Sequence, residues 1–522
     1  MDTGNWMVLT PALAHVETVR PAGERVARTL DPGLIAVVTM AVSVTGIGRP
    51  SLWYDEAATI SAASRPVSEL WAMLHNIDAV HGLYYLLMHC WLAIFPATEL
   101  FLRLPSTLAV GLAAAGVVVL AKQLSTRAVA LTSGVVFALL PRVTWAGIEG
   151  RSYALTMAIA VWLTVLCVSA IRRRRAALWT TYTFGVIAAT VVNVYVLLIL
   201  GAHAALVGVL TSRRRAVIPW VLAVSVATLA VTPFLLFSRG QIGQVRWISP
   251  LGAHSVGEVF RAQYFDHSAA FAVLTGIILA ATAVFRRPGR LLPDGAGWRL
   301  VVVAVVWIAV PTAVMLVYSA VNTPTYYPRY LSFTAPAMAL LLGVGVVALA
   351  RSTIYIAAII TLLAAAAAPN FFVVQRGPYA NEGMDFSQVA DVIAAHAAPG
   401  DCLALDNTAT WQPGPIRALT AARPSVYERL VDPGRGKRAI DRNMLWDSHI
   451  SIWAWTDVLR GCTVLWTVSD LDKTLPDHQA GDALPPGPRL TLAPAYQAAV
   501  DFGFRVVERW QFNFAQVVRS TR

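Results

Sequence analysis

Apolar runs of about 20 residues recur along the first two thirds of this 522-residue chain. A helix of that length crosses the hydrocarbon core of a bilayer, whereas shorter apolar helices usually belong to the cores of soluble proteins. Hydrophobic residues make up 57% of the chain and charged residues only 13%, which is far from the composition of soluble domains. The chain is therefore predicted to be an α-helical polytopic membrane protein.

These runs predict eleven membrane helices. They cover residues 33–49, 105–122, 128–146, 153–171, 177–192, 194–211, 217–237, 269–285, 299–320, 331–350 and 353–369. The composition becomes mixed and polar after Pro369, so residues 370–522 are predicted to form a separate soluble domain. Residues 1–32 are predicted to be a tail, residues 33–369 the membrane domain, and residues 50–104 its first outer loop.

Basic clusters lie in alternate connections between the apolar runs. They comprise the N-terminal arginines, Lys122 with Arg127, Arg172 to Arg175, Arg213 to Arg215, Arg286 with Arg287 and Arg290, and Arg351. Because basic loops stay in the cytoplasm, the N-terminus is predicted inside, and the first outer loop and the terminal domain outside the cell membrane. The net charge of +12 therefore comes from short basic clusters between membrane segments and not from a face that binds a duplex. Nucleic acid is not an expected partner.

The four cysteines do not have the spacing of a metal site. Cys90 and Cys167 fall in or near membrane segments, and Cys402 and Cys462 fall in the terminal domain. Outside the cytoplasm this last pair can form a disulfide, and two buried free thiols are the alternative.

Segments outside the membrane also have recognisable patterns. In the first outer loop, VSELWAMLHNI and LYYLLMHCWLAIF carry apolar residues at helical spacing and are predicted to lie along the membrane surface. In the terminal domain, a helix is predicted over residues 385–397, strands over 402–406 and 462–470, and a hairpin or edge strands in FRVVERWQFNFAQVVRS. The terminal domain is therefore predicted to have an α/β fold.

Asp55 and Glu56 lie only a few residues after the first apolar run, in the sequence WYDEA. An isolated charge near the hydrocarbon boundary is costly unless it is paired or functional. Repulsion by Glu56 is expected to raise the proton affinity of Asp55, which would suit Asp55 to accept a proton from a hydroxyl group. The alternative is a solvated acid that caps a helix.

Two other outer loops carry charged and aromatic residues at a membrane boundary. AGIEGRSYAL contains Glu149 and Arg151, and TPTYYPRYLSF contains Tyr326, Tyr327, Arg329 and Tyr330. Arginine is suited to bidentate phosphate binding, and aromatic side chains at this depth can line a sugar or isoprenoid pocket. Snorkelling and an aromatic belt are the alternative for each residue alone. Together, the three loops predict a reaction site on the outer face.

Five ordered motifs resemble those of the GT-C superfamily of membrane glycosyltransferases, close to the bacterial protein O-mannosyltransferase and lipid-linked mannosyltransferase branch. They are WYDEA at 53–57, HGLYYLLMHCW at 81–91, RLPS at 103–106, EGRSYAL at 149–155 and PRYLSFTAPAMALLLG at 328–343. The chain departs from the family pattern at Gly82, which replaces a proline, and at Gly150 and Ser152 in the fourth motif. Both departures are expected to loosen the local geometry.

The resemblance implies an inverting transferase that moves mannose from a polyprenyl-phosphate donor to an extracytoplasmic glycolipid, lipoglycan or protein. It implies Asp55 as the catalytic base with support from Glu56, and Arg329 as the ligand of the donor phosphate. The remainder of the implied pocket consists of His81, Glu149, Arg151, Tyr327 and Tyr330. A monophosphate donor requires no metal cofactor, although the acidic pair with His81 could hold a divalent cation.

Other functions remain open at this point. Arabinose or another pentose is the nearest alternative donor sugar. A flippase of lipid-linked sugars and a catalytically silent scaffold are alternatives of other classes. Transporters commonly contain internal repeats around a site at the bilayer midplane, whereas this sequence has no visible repeat and its candidate polar groups lie at the outer boundary.

Overall fold

A computed structural model describes residues 22–210, 216–285, 297–350, 352–409, 411 and 415–522, with the backbone alone for residues 22–28. Its α-helices are α1 (Ala22–Val44), α2 (Tyr54–Ala63), α3 (Val67–Leu74), α4 (Gly82–Leu92), α5 (Glu99–Leu124), α6 (Arg127–Leu139), α7 (Pro141–Ala146), α8 (Tyr153–Arg173), α9 (Ala176–Val192), α10 (Leu200–Leu210), α11 (Val217–Gly240), α12 (Ala253–Gly257), α13 (Gln263–Phe265), α14 (Ala269–Phe285), α15 (Gly297–Val321), α16 (Ala335–Leu349), α17 (Thr353–Pro369), α18 (Phe386–His396), α19 (Arg417–Ala422), α20 (Pro424–Tyr427), α21 (Pro488–Thr491) and α22 (Pro494–Val500). The strands are β1 (Cys402–Leu405), β2 (Val464–Asp470), β3 (His478–Ala480), β4 (Arg505–Gln511) and β5 (Ala515–Thr521).

Six helical segments of the described residues are long and apolar enough to cross a membrane. They are α5, α8, α11, α15, Pro328–Leu349 and Thr353–Val374. A seventh span results if Ala253–Phe265 and Ala269–Phe285, which meet at 93°, are counted as one. Four shorter apolar helices are Thr29–Val44, Arg127–Leu139, Ala176–Val192 and Val194–Leu210. Every predicted span overlaps one of these segments, so the prediction of an α-helical polytopic fold is confirmed.

Several helix boundaries differ from the prediction, and the predicted span 128–146 is divided at Leu140 into α6 and the short α7. Helix α1 begins at Ala22, inside the predicted tail, and ends at Val44, because the chain turns at Gly46, which has a φ of 71°. Helix α5 begins at Glu99, earlier than the apolar run, because the Thr98 side chain caps it by accepting a hydrogen bond from the Phe101 N–H. A run of apolar residues does not show where a helix begins when its first turn is polar.

The basic clusters that predict orientation are only partly visible. Lys122 and Arg127 both pair with Asp31 of α1, at 2.7 and 2.8 Å. Arg172 to Arg175 lie at and after the end of α8. Arg20, Arg213 to Arg215, Arg286, Arg287, Arg290 and Arg351 lie outside the described residues.

The first outer loop is helical, as predicted. It folds into α2, α3 and α4, and several of its large apolar side chains point outward: Trp71 is 66% exposed, Leu87 48% and Ile94 75%. Such exposed apolar groups are typical of helices that lie at the headgroup boundary.

The terminal domain contains a five-stranded sheet with the order β1-β2-β5-β4-β3. The pair β1–β2 is parallel and the other pairs are antiparallel, and α18 packs on the sheet, so the predicted α/β fold is confirmed. A disulfide joins Cys402 to Cys462.

The first outer loop and the terminal domain share one hydrophobic core. Trp53 and Tyr85 from the loop belong to the same buried cluster as Phe386 and Trp466 from the domain. Hydrogen bonds reinforce this contact, because the Leu52 N–H donates to Ser387 Oγ at 2.9 Å and the Ser387 hydroxyl donates to Glu99. Helix α2 is therefore fixed between the membrane helices and the domain.

Candidate active site

Asp55 lies in the first turn of α2, with its carboxylate between two guanidinium groups. Its Oδ2 is 3.4 Å from Arg329 Nη2 and its Oδ1 is 3.8 Å from Arg151 Nη2. Burial raises the pKa of Asp55, but the positive charges of Arg151 and Arg329 leave it below its ordinary value. Asp55 is thus an ionised carboxylate at neutral pH, and its side chain remains 13% exposed.

Glu56 does not raise the proton affinity of Asp55, so that prediction is wrong. The Glu56 carboxylate turns away and accepts two hydrogen bonds from Arg103, at 2.7 and 2.6 Å, with both side chains fully buried. It also accepts the Gly150 N–H at 3.0 Å. The structure therefore places Glu56 in a positioning role that joins α2 to α5.

Gly150 does not loosen the site, contrary to the expectation from its departure from the family pattern. A Cβ atom at this position would lie 2.9 Å from Leu102 Cγ and 3.2 Å from Glu56 Cγ. Glycine is thus what allows the loop before α8 to approach α2 closely. At Gly82 the nearest neighbour of an added Cβ would be Leu74 Cδ1, at 2.8 Å, which is the end of a flexible side chain.

Glu149 is fully buried near the ion pair of Glu56 and Arg103. Its Oε2 accepts a hydrogen bond from Trp53 Nε1 at 3.1 Å, while its Oε1 has no partner among the described residues. Burial and the nearby charge of Glu56 raise the pKa of Glu149 well above its ordinary value. Glu149 therefore favours its protonated form more than an ordinary carboxyl does, and it holds Trp53.

Arg151 connects Asp55 to the second motif. It donates to the Tyr85 hydroxyl at 2.9 Å and to His81 Nε2 at 3.2 Å, and Tyr85 in turn donates to Asp78 at 2.6 Å. Burial and the charge of Arg151 lower the pKa of His81 to about 3, so the imidazole is neutral. Because Nε2 accepts this hydrogen bond, the proton of the ring is on Nδ1.

Arg329 lies among aromatic rings on the other side of Asp55. Its Cζ is 5.0 Å from the ring centre of Trp53, 4.8 Å from that of Tyr327 and 5.9 Å from that of Trp247. Its Nη1 is 3.7 Å from Glu382, and its Nε has no partner among the described residues. The guanidinium is held in place by ring contacts and retains unused hydrogen-bond donors.

Tyr330 directly follows Arg329 in the chain and is only partly buried. Its ring stacks on Tyr195 at 5.4 Å and approaches Tyr327 at 5.7 Å. Tyr326 points elsewhere, because it is buried and donates to Gln263 at 3.1 Å.

A cavity of about 470 Å³ is bounded by Arg329, which faces Asp55, and by Trp53, whose ring contacts Arg329. Arg142 and Trp145 of α7, Asp266 and His267 of the loop before α14, and residues 370–383 form its other walls. The mixture of aromatic, amide and charged groups in its walls is typical of sites that bind polar ligands.

The structure thus brings together the three loops that sequence analysis singled out. It also adds residues that were not predicted: Trp53, Asp78, Tyr85, Arg103, Arg142 and Glu382. Trp53, Tyr85 and Arg103 lie inside the motifs already quoted, so their proximity to the acids was a usable signal. Glu382 comes from the connection to the terminal domain and has no signal in the sequence.

No cluster of three or more histidine, cysteine or acidic side chains capable of holding a metal occurs among the described residues. The acidic pair and His81 do not face a common point, because Glu56 binds Arg103 and His81 accepts from Arg151.

No protein-family model matches this chain, and no curated protein matches it in sequence.

Solved structures match it over nearly its whole length. ArnT from Cupriavidus metallidurans in the apo state is 14% identical, covers 94% of this chain and 98% of its own, and gives a TM-score of 0.55. The same protein bound to undecaprenyl phosphate is 12% identical, with 96% and 98% coverage and a TM-score of 0.53. The archaeal oligosaccharyltransferase AglB from Archaeoglobus fulgidus, in complex with an inhibitory peptide and a dolichol-phosphate, is 11% identical, with 86% and 70% coverage and a TM-score of 0.47. The chain therefore has the GT-C fold that ArnT has.

Proposed function

We propose that this protein is a glycosyltransferase that moves a sugar from a polyprenyl-phosphate donor to an acceptor on the extracytoplasmic side of the cell membrane. The observation that carries the proposal is the ionised Asp55 carboxylate between Arg329 and Arg151, beside a cavity of about 470 Å³. The match to ArnT, which was solved with undecaprenyl phosphate, supports a lipid-phosphate donor.

In the proposed reaction, Asp55 accepts the proton of the acceptor hydroxyl as the hydroxyl oxygen attacks the anomeric carbon. The bond between that carbon and the phosphate oxygen breaks, and the electron pair leaves with the lipid phosphate. Arg329, whose guanidinium lines the cavity, stabilises the negative charge that develops on the phosphate. Attack opposite to the leaving group inverts the anomeric centre.

Mannose is the sugar that we propose, because the ordered motifs resemble those of the mannosyltransferase branch. A pentose such as arabinose is the first alternative. The acceptor that we propose is an envelope glycolipid, lipoglycan or protein, and no metal cofactor is assigned to the reaction.

The test is sugar transfer in membranes that contain matched amounts of the wild type or of Asp55→Asn. Radiolabelled polyprenyl-phosphate-mannose is supplied, and label in the acceptor fraction is counted. We expect the variant to lose transfer by about 10²–10⁴-fold, the usual contribution of a general base, while it still binds the donor.

Asp482→Asn, an exposed acid of the terminal domain, is the matched control and should transfer normally. Transfer by the wild type from a pentose donor but not from the mannose donor would correct the sugar. Equal transfer by the wild type and Asp55→Asn would remove Asp55 from the reaction.

A further inference from the structure

A second cavity, of about 430 Å³, lies between the end of α2 and the terminal domain. It does not include Asp55 or Arg329. Its walls include Ser61, Ser64 and Arg65 from the first outer loop. The domain contributes three basic residues and three acids, which are Arg417, Arg435, Arg438, Glu428, Asp432 and Asp447, and Arg417 pairs with Asp432. The cavity therefore exists only because the two parts of the chain pack together.

Arg65 is a buried cation at this cavity that forms no salt bridge among the described residues, although the charges of Glu69 and Asp447 are near enough to act on it. It is 4% exposed and donates to the carbonyl oxygens of Ser61, Met444 and Leu445. Its Nη1 has no hydrogen-bond partner in the part of the chain that the structure describes. A buried guanidinium in this state is costly, and a negative charge in the adjacent cavity would compensate for it.

A basic loop forms one rim of the same cavity. The segment RGKRAIDR at residues 435–442 has four basic residues and one acid. Arg435 pairs with Asp447 and Arg438 with Asp441, but Lys437 and Arg442 pair with no carboxylate among the described residues. Arg435 and Arg438 remain 45% and 63% exposed, so the rim has positive charge available to an incoming ligand.

Helix α2 connects this cavity to the candidate active site. Asp55 lies at its beginning and Ser61, Ser64 and Arg65 at its other end, which for ten residues is a separation of about 15 Å. Tyr54, which precedes Asp55, packs against Trp446 of the domain with ring centres 5.2 Å apart, and both side chains are partly accessible. Leu445, next to Trp446 in the chain, accepts a hydrogen bond from Arg65. Aromatic surfaces of this kind are common where polar ligands are bound.

We infer that this second cavity binds a negatively charged sugar unit of the acceptor, one that carries a phosphate or a carboxylate group. The inference rests on the proposed function, since it takes the ligand to be the glycan whose hydroxyl Asp55 deprotonates. In this arrangement the charged unit occupies the cavity at Arg65, and the chain passes Tyr54 and Trp446 to reach Asp55. An exposed basic rim speeds capture of an anionic ligand, and the buried arginine fixes its position.

The test measures binding to the purified full-length protein in detergent, without any donor. The probes are a phosphorylated mannopentaose, an oligogalacturonide of the same length and neutral mannopentaose, each titrated by calorimetry. We expect at least one anionic probe to bind and the neutral one not to. The double variant Arg435→Gln/Arg438→Gln should weaken that binding by about tenfold, and which anionic probe binds identifies the charged group.

Arg460→Gln is the matched control, because Arg460 also forms an exposed pair with an acid three residues away, Asp457. It should bind like the wild type. Equal binding of the anionic probe by the double variant and the wild type would overturn the inference. The inference would also fail if the double variant lost binding to anionic phospholipid vesicles but bound the oligosaccharides like the wild type.

The two proposals fail separately. Binding of an anionic probe by a wild type that transfers no sugar would keep the cavity as a site for anionic glycans, but it would remove the transferase and with it the role of that glycan as acceptor. If the wild type transfers sugar, and the double variant binds the anionic probe and transfers sugar equally well, the proposed function stands and the cavity assignment falls. Arg65→Gln, if it folds, should show the larger loss of binding.

Discussion

At the scale of single residues, the two arginines beside Asp55 control when it can act as a base. They keep the carboxylate ionised and ready to accept a proton, but they also reduce its affinity for that proton. A phosphate group that binds Arg329 would draw part of this positive charge away from Asp55. Donor binding is therefore expected to make Asp55 a stronger base at the moment when the acceptor is present.

The charge of Arg151 predicts a pH effect with a definite sign. Because Arg151 lowers the pKa of Asp55, Arg151→Gln should raise that pKa. Asp55 must be ionised to accept a proton, so the variant should lose activity at a higher pH than the wild type as the pH falls. Arg151→Lys keeps the charge and is the control. The measurement is kcat/KM for transfer against pH, and an unchanged acidic limb in Arg151→Gln would contradict the assignment.

Glu149 offers a second prediction at this scale. Its pKa is raised well above the ordinary value, which favours the neutral, protonated form. Glu149→Gln preserves its shape and can still accept the Trp53 N–H, and it should retain both transfer activity and thermal stability. Glu149→Ala, which removes that acceptor, should reduce activity by releasing Trp53 from Arg329. Loss of activity in the Gln variant would show that Glu149 acts as a charged group.

The sequence predicted the residue types of the site better than their partners. Adjacent Asp55 and Glu56 suggested two repelling acids, but successive helical residues point about 100° apart and do not face each other. Glu56 reaches Arg103, 47 positions away in the chain, and no local pattern reveals that pairing. Glu382 was missed for the same reason, since only the folded chain brings it to Arg329.

At the scale of elements, α2 is the part on which both proposed sites depend. Its first turn is attached to α5 by Glu56 and Arg103, and its other end to the terminal domain by Arg65. Glu56→Gln would leave Arg103 buried without its partner charge and should lower the free energy of unfolding by about 3–5 kcal/mol. Thermal unfolding in detergent would measure the change.

Asp55→Asn is the matched control for this change, because it neutralises the neighbouring acid in a partly exposed place. Its contacts with Arg151 and Arg329 are longer, at 3.8 and 3.4 Å, so it should lower the thermal midpoint less than Glu56→Gln does, while it loses transfer. Glu56→Gln should instead lose stability. Any loss of its transfer activity should follow indirectly, because α2 is no longer held in place. Equal thermal midpoints for both variants would mean that the ion pair does not hold the helix.

The elements themselves were largely predictable. Membrane helices follow from runs of apolar residues, and strands β2 and β5 follow from dense β-branched and aromatic composition. The early start of α5 was not predictable from hydropathy, because its first turn is polar and depends on the Thr98 cap. The bend of 93° before α14, by contrast, coincides with the predicted start of a span at residue 269.

At the scale of the whole molecule, the terminal domain completes the membrane part. It shares a hydrophobic core with the first outer loop and supplies the Glu382 side of the first cavity and most of the second. Neither proposed site would have its present walls without the domain. The side of the membrane on which the domain lies therefore decides whether the proposed reaction is extracytoplasmic.

Two independent features predict that the domain lies outside the cytoplasm. The first is the arginine clusters, because basic loops stay in the cytoplasm and the domain lies on the opposite side from them. The second is the disulfide between Cys402 and Cys462, because such bonds persist in oxidising surroundings. Exposed Asp482 of the domain and Arg173 at the end of α8 are replaced one at a time by cysteine, in a background that lacks the exposed Cys90. Intact cells are treated with a membrane-impermeant maleimide. Asp482→Cys should be labelled at once and Arg173→Cys only after the membrane is permeabilised, whereas the opposite result would place Asp55 on the cytoplasmic side and refute an extracytoplasmic transferase.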